Sequence, residues 1–216
     1  MDETAIIAKR IAKELRDGDV VNLGIGIPTE VVNHIPKGVN VYLHSENGMI
    51  GVGPSPAKGS EDKDIVNAGG GFISPIAVTS YMDSAASFAI VRGGHLDMTV
   101  LGALQVDEEG SIANWIIPGK MVPGMGGAMD LLTGAKKIVA AMKHTDKEGK
   151  SKILKRCTLP LTAYKKLSLI VTDLAFIEVT PEGLVLREIH ESTTVDEVVR
   201  CTEAKLILPA KIIHFS

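Results

Sequence analysis

The chain has 216 residues, a net charge of −3 from 23 Lys and Arg against 26 Asp and Glu, 45% hydrophobic residues and only 4% aromatic ones. Its 22 glycines and 10 prolines stay well below the roughly 25–30% that marks low-complexity chains, which excludes a disordered or fibrous protein. A charge balance this even, with so few rings, also argues against a nucleic-acid binder, which carries a basic face or stacking aromatics.

Residues 5–15 place Ile7, Ala8, Ile11, Ala12 and Leu15 on one stripe, the pattern of an amphipathic helix stopped by Asp17-Gly18. This opening segment has neither the basic start nor the long apolar run of a signal peptide. No run of about 18 apolar residues follows that would span a bilayer. Cys157 and Cys201 lie far apart in no metal-type spacing and are expected to be reduced thiols. The expectation is a cytoplasmic protein, without membrane or nucleic-acid partners.

Val20-Val21-Asn22-Leu23 is a short β-branched run, a strand, and it ends in the loop Gly24-Ile25-Gly26-Ile27-Pro28. Pro28 suits the first turn of a helix reaching about Ile35, where its missing N–H is an orphan in any case. Pro36-Lys37-Gly38 closes that helix, and residues 39–44 form a second strand. Strand, helix and strand in this order predict a parallel pair. Further strands are expected at 96–102 and 136–142, with a hairpin between them turning at Asp107-Glu108-Glu109-Gly110. Residues 143–156, with seven Lys, Arg or His among fourteen, are expected to form an exposed loop or hairpin. The last third predicts strands at 167–172, 175–179 and 183–188, the latter two joined by Pro181-Glu182-Gly183. Thr194 and Glu197 form a capping box that opens a helix to about Arg200, and 206–208 reads as a final strand. No repeat or linker divides the chain. The expectation is one α/β domain over residues 1–216, an open, mostly parallel sheet with helices on both faces.

Glycine clusters at Gly24/Gly26, Gly48/Gly51/Gly53, Gly69–Gly71, Gly93/Gly94 and Gly124/Gly126/Gly127 punctuate the predicted strand ends. Tight turns account for some of them, but in open α/β sheets ligands bind where such loops collect, beyond the carboxyl ends of strands. Gly24-x-Gly26 with Glu46 some 20 residues on imitates a dinucleotide fingerprint. Thr29 stands where the third small residue belongs, and Pro28 interrupts the amides that would hold a pyrophosphate, so that reading is set aside.

The segment Leu43-His44-Ser45-Glu46-Asn47-Gly48-Met49-Ile50-Gly51 sets a carboxylate at a strand end, ahead of a glycine turn. On residue type alone, Glu46 reads as a salt-bridged strand-end group. The segment resembles, however, the S-E-N-G signature of family I CoA transferases. The likeness continues through Val21–Thr29, Asp64–Gly70, Arg92–Asp97, Gly102–Asp107, Ile112–Trp115 and Gly124–Leu131, in order. The pattern looks like that of the B (β) subunit of a 3-oxoacid or acetate/butyrate–acetoacetate CoA transferase.

That resemblance implies an activity and a site. Glu46 would be the nucleophile, carrying a glutamyl-CoA thioester through a ping-pong cycle in which CoA is substrate and no cofactor or metal is needed. Asn22, Gly126, Gly127 and Ala128 would line the oxyanion or substrate pocket. Gly24, Gly26, Asn47 and Gly48 would support the loops around it. The expected partners are acyl-CoA, small carboxylic acids and an A (α) subunit in an A2B2 heterotetramer, because the chain is about half of the complete two-part enzyme. His44 and His95, the two histidines beside motifs, are expected to pack or hydrogen bond. The six histidines show no metal spacing, and no G-x-S-x-G elbow is present. The cationic 143–156 segment reads as a solvated loop or subunit contact, with CoA phosphates as a further option. The alternative function is a sugar-phosphate isomerase or sensor of a related α/β fold, since such proteins use similar glycine loops.

Overall fold

The computed structural model describes residues 2–120, 122 and 124–216. In chain order its elements are α1 (Glu3–Ala12), β1 (Val20–Leu23), a 3-10 helix (Ile27–His34), β2 (Tyr42–Ser45), β3 (Met49–Val52), β4 (Pro75–Tyr81), α2 (Ser84–Arg92) and β5 (Met98–Gly102). They continue with β6 (Gln105–Asp107), β7 (Ile112–Ala113), α3 (Ala128–Gly134), β8 (Lys137–Ala141), β9 (Ile153–Leu154), β10 (Leu169–Val171) and β11 (Ala175–Thr180). The C-terminal part holds β12 (Gly183–His190), α4 (Val195–Arg200), β13 (Leu206–Ile207) and β14 (Ile213–Phe215).

An eleven-stranded sheet forms the frame, in the order β13-β12-β11-β10-β8-β5-β1-β2-β3-β4, with β14 also paired to β12. Its centre, β2-β1-β5-β8-β10, is parallel throughout. Antiparallel strands extend it on both sides, β3 and β4 beyond β2, and β11 and β12 beyond β10. The expected open, mostly parallel sheet is thus a parallel core with antiparallel flanks. A separate three-stranded sheet, β7-β6-β9, contains the expected hairpin at 107–110, closed by the Gly110 N–H donating to Asp107 O at 2.9 Å.

Successive strand residues face opposite sides, and a parallel sheet must bury both. Val21, Met98, Val100, Val139, Ala141, Leu169 and Val171 join α1 and the 3-10 helix in one core. Leu101, Ile138, Ala140 and Ile170 join α2, α3, α4 and the small sheet in the other. Helices therefore cover both faces, and each fully buried Leu or Ile contributes about 1.5–3 kcal/mol.

Several expectations need correction. α1 starts earlier than 5–15 suggests, because the Asp2 carboxylate caps it by accepting from Thr4 N at 3.0 Å. The helix at Pro28 is 3-10 rather than α. The 143–156 segment is not one exposed loop: residues 145–151 form a small turned bridge, but His144 is fully buried and Ile153-Leu154 is a buried strand paired with β6. Residues 206–208 are not the last strand, since β14 follows. The capping box is half as expected: Thr194 Oγ1 accepts from Glu197 N at 3.2 Å, while the Glu197 carboxylate accepts from the neighbouring Thr193 hydroxyl at 2.9 Å.

Candidate active site

The parallel core runs in space as β2-β1-β5-β8-β10, so the chain reverses its winding between β1 and β5. Loops leaving those two strands part in opposite directions and open a crevice at their carboxyl ends, where α/β sheets place ligands. Gly24–Ile27 leaves β1 there, Glu46–Gly48 leaves β2, and Gly102–Leu104 leaves β5. The Gly24 N–H donates to Val100 O at 2.8 Å, tying the first loop to β5.

Period-two alternation decides which side chains gather beneath the crevice. Val21 and Leu43 face the α1 side, so Asn22 and His44 face α2 and α3; Met98 and Val100 do the same for Thr99. The β1–β2 register sets Asn22 beside His44, and the β1–β5 register sets it beside Thr99. Glu46, two residues past His44, follows on the same side. All three neutral polar residues are buried, Asn22 being 1% exposed, and a buried amide needs partners. Its Nδ2 donates to Glu46 Oε2 at 3.0 Å and to His44 O at 3.2 Å, while Thr99 Oγ1 lies 3.4 Å from its Oδ1. The His44 ring stands 3.5 Å from the amide through Nδ1 and 2.9 Å from Ser87 Oγ of α2 through Nε2. Burial pushes the His44 pKa below the usual imidazole value, and the nearby Glu46 carboxylate opposes that shift.

The residues flanking Glu46 fasten its turn to a second loop. Ser45 Oγ donates to Asn47 Oδ1 at 2.7 Å and accepts from Ala68 N at 3.0 Å; Asn47 Nδ2 donates to Val66 O at 2.7 Å. Gly48 has φ +133°, and a Cβ there would stand 2.1 Å from Met82 O, so only glycine fits. Serine and asparagine thus anchor the turn outward while the glutamate between them points to Asn22.

From the other side comes the start of α3. A Cβ on Gly127 would lie 3.3 Å from Glu46 Cγ and 3.0 Å from the Phe88 ring, so the bare glycine lets the backbone approach the carboxylate side chain. Ala128 is adjacent, but its N–H is donated to Met125 O at 3.1 Å and is not free for a ligand. Gly126 sits exposed at φ +51°, and Gly26 at φ +88° starts the 3-10 helix. Exposed apolar side chains stand on these loops: Ile25 after β1, Phe72 beyond the Gly69 turn that Ile25 touches, and Met129 two residues past Gly127.

The structure therefore brings Glu46, Asn22, Asn47, Gly48 and Gly127 together and keeps Gly24 in the adjoining loop. Asn22 lies inside β1, as the strand reading of Val20–Leu23 placed it. Thr99, Ser87 and Phe88 are neighbours that the motifs did not mark, and His44 is bound more tightly into the site than a flanking residue need be. The available signals were the i, i+2 spacing of His44 and Glu46 and a serine on the buried side of the otherwise apolar Ser84–Arg92 helix. Two surface depressions, one around Glu108, Lys165 and Lys205 and one around Arg10, Glu14 and Glu188, lie elsewhere. The second is filled with paired charges, Arg10 holding both Glu14 and Glu188. No helix among the described residues is long and apolar enough to cross a membrane.

Comparison with known proteins gives the family of the chain. The Coenzyme A transferase family model matches residues 4–200. The B-type chain of a probable succinyl-CoA:3-ketoacid coenzyme A transferase of Bacillus subtilis is 49% identical over 208 residues, covering 96% of each chain. The beta chain of an acetate CoA-transferase of Escherichia coli is 50% identical over 212 residues, covering 98% of this chain and 97% of its own. An acyl-CoA transferase apoenzyme from Escherichia coli O157:H7 superposes with a TM-score of 0.80 at 20% identity, a likeness of fold. All of this chain corresponds to 43% of that one, so the chain spans less than half of its length. With a family match over residues 4–200, nearly its whole length, the chain belongs to the coenzyme A transferase family.

Proposed function

We propose that this chain is the nucleophile-bearing subunit of a CoA transferase. It moves CoA between a short-chain acyl-CoA, or succinyl-CoA, and a 3-oxoacid or short carboxylic acid. One thioester replaces another, so the reaction needs no energy source or redox group. A carboxylate is a weak nucleophile in water, and its use requires oriented donors at the oxyanion that develops on attack. Glu46 attacks the acyl carbonyl, the C–S bond breaks, and CoA leaves as thiolate from a mixed anhydride. The thiolate then attacks the glutamyl carbonyl and expels the first acid as its carboxylate, leaving glutamyl-CoA. An acceptor carboxylate enters and the steps reverse, which gives ping-pong kinetics.

The observation that carries this reading is the Asn22 amide, buried and 3.0 Å from Glu46 Oε2, beside the backbone approach at Gly127. Asn22 is assigned the side-chain donor role, Gly126 and Gly127 the glycine wall of the acyl pocket. Among acetate, butyrate, succinate and acetoacetate the pocket discriminates through contacts worth about 1–3 kcal/mol per methylene. The partner is the A subunit, in an A2B2 complex in the cytoplasm. One observation supports the pairing: the bacterial relatives matched over nearly their whole length are named as the B or beta subunit of a transferase. No observation favours the phosphosugar alternative.

The test uses the complex of this chain with its A subunit. Glu46→Ala is expected to fold, to lose transfer by at least three orders of magnitude, and to leave no CoA-derived thioester that borohydride reduces. Transfer at the wild-type rate in that variant overturns the assignment.

A further inference from the structure

We propose that His44 is a positioning residue of this site: its ring, anchored on Ser87, offers a bare Nδ1 to the Asn22 amide and keeps that amide's N–H side turned toward Glu46. The inference rests on the reading of Glu46 as nucleophile and adds a residue to it.

A carboxamide has two orientations that exchange Oδ1 and Nδ2 by a half-turn of its end group. In the orientation found, Nδ2 faces Glu46 Oε2, His44 O and His44 Nδ1 at 3.0, 3.2 and 3.5 Å, and Oδ1 faces the Thr99 hydroxyl. The carboxylate and the main-chain carbonyl are acceptors only. Thr99 can donate or accept and so does not choose between the orientations. The ring is the remaining neighbour whose character can change. With its proton on Nε2, Nδ1 is a further acceptor and agrees with the other two. With a proton on Nδ1, it becomes the one neighbour that favours the reversed amide, whose oxygen would then confront the Glu46 carboxylate and remove the donor from the developing oxyanion.

Ser87 makes that choice possible. Its hydroxyl is fully buried and 2.9 Å from Nε2, so it can accept the Nε2 proton in the tautomer that leaves Nδ1 bare. α2 holds Ser87 in place: the Asp83 carboxylate caps the helix through Ala86 N at 2.7 Å, and Ser87 N donates to Asp83 O at 3.0 Å. The groups around the ring are Asn22 from β1, Thr99 behind it from β5, Ser87 from α2 and, paired on β3, the apolar Ile50. The ionised neighbour is Glu46; Arg92 at the end of α2 is engaged with Asp130. Burial lowers the ring's pKa and so favours the neutral form, in which one ring nitrogen is bare.

The experiment compares His44→Leu and His44→Asn in the complex with the A subunit, with Glu46→Ala as a reference. Asparagine sets an acceptor oxygen near the place of Nδ1 and does not titrate; leucine fills space without an acceptor. Expected are a loss of about tenfold in kcat with little change in KM for leucine, and recovery to within about threefold of wild type for asparagine, a fraction of the 10²–10³ that loss of a whole oxyanion donor costs. The acid limb of the pH profile of kcat/KM is expected to move to lower pH in His44→Asn. Wild-type kcat in His44→Leu, equal losses in the two variants, or an acid limb unchanged in His44→Asn overturns the inference. Should the leucine variant not fold, the asparagine pH profile alone decides. If Glu46→Ala still forms the reducible thioester, the nucleophile assignment fails instead, and the two failures are read separately.

Discussion

His44 and His144 are both buried histidines near the carboxyl ends of parallel strands, yet their surroundings give them different work. His144, three residues past β8, has each ring nitrogen 2.9 Å from a threonine hydroxyl, Thr172 through Nδ1 and Thr202 through Nε2. That shell is neutral and closed, and burial alone pushes its pKa down to about 4. His44 has one serine, one amide and, beside it, the carboxylate of Glu46, which draws against the effect of burial. A closed neutral shell can only record how well the chain is packed. A ring that touches an amide facing a half-buried acid is coupled to whatever that acid does. The difference lies in what stands on the far side of the partner, not in how deeply the ring is buried.

Substitutions on the two sides should separate in kind. The largest effect is expected on the Glu46 side: Asn22→Ala should lower kcat by 10²–10³, about 2.7–4 kcal/mol in the barrier, with a smaller effect on the urea midpoint. A kcat within threefold of wild type would show that the amide is structural and would collapse the contrast. On the His144 side the response should be to pH and in stability. The unfolded histidine titrates near 6.5, whereas the folded one titrates at about 4. Protonation therefore favours unfolding: the stability of the chain is complete above pH 6.5, declines as pH falls, and has lost about 3 kcal/mol once pH drops below 4. Urea unfolding across that window should show a shallower decline in His144→Gln than in wild type; parallel curves would contradict the shell described. The smallest change is expected from Thr202→Val, which removes the acceptor or donor at Nε2. About 1 kcal/mol of stability should be lost, and transfer by the complex should be unaltered. A reduced kcat there would mean that the two histidine regions are coupled.

Legibility varied along the chain for reasons that can be named. β1 was readable to the residue because it is a β-branched run between a glycine stop and a glycine loop, and a strand buried on both faces must be apolar. The Thr194 cap was readable because capping is local. β3 and β4 were not: Met49-Ile50-Gly51-Val52 carries a glycine at φ +90°, and β4 exposes most of its residues, so their pairing comes from the sheet edge that β2 offers. α2 and α3 were missed because Ser-Ala-Ala-Ser-Phe-Ala-Ile-Val-Arg and Ala-Met-Asp-Leu-Leu-Thr-Gly are short and mix small with apolar residues. The charged 143–156 run concealed Ile153-Leu154, since two apolar residues among lysines become a strand only when β6 supplies its edge.

The site divides along the same line. The turn at Glu46 could be placed from the chain itself, because serine, asparagine and glycine stand together there, whereas the role of the acid was legible only through the S-E-N-G resemblance. Asn22 could be found as a polar interruption of a buried strand. What the linear chain could not contain is the alignment of Asn22 with His44 and Thr99, or the approach of Ser87, 43 residues beyond the histidine. Registers between parallel strands are set by cores packed on both faces, and helix placement is set by the same packing. Local chemistry therefore set the turn that carries the acid. The tertiary structure chose its neighbours, because only long-range burial brings separate strands into one register.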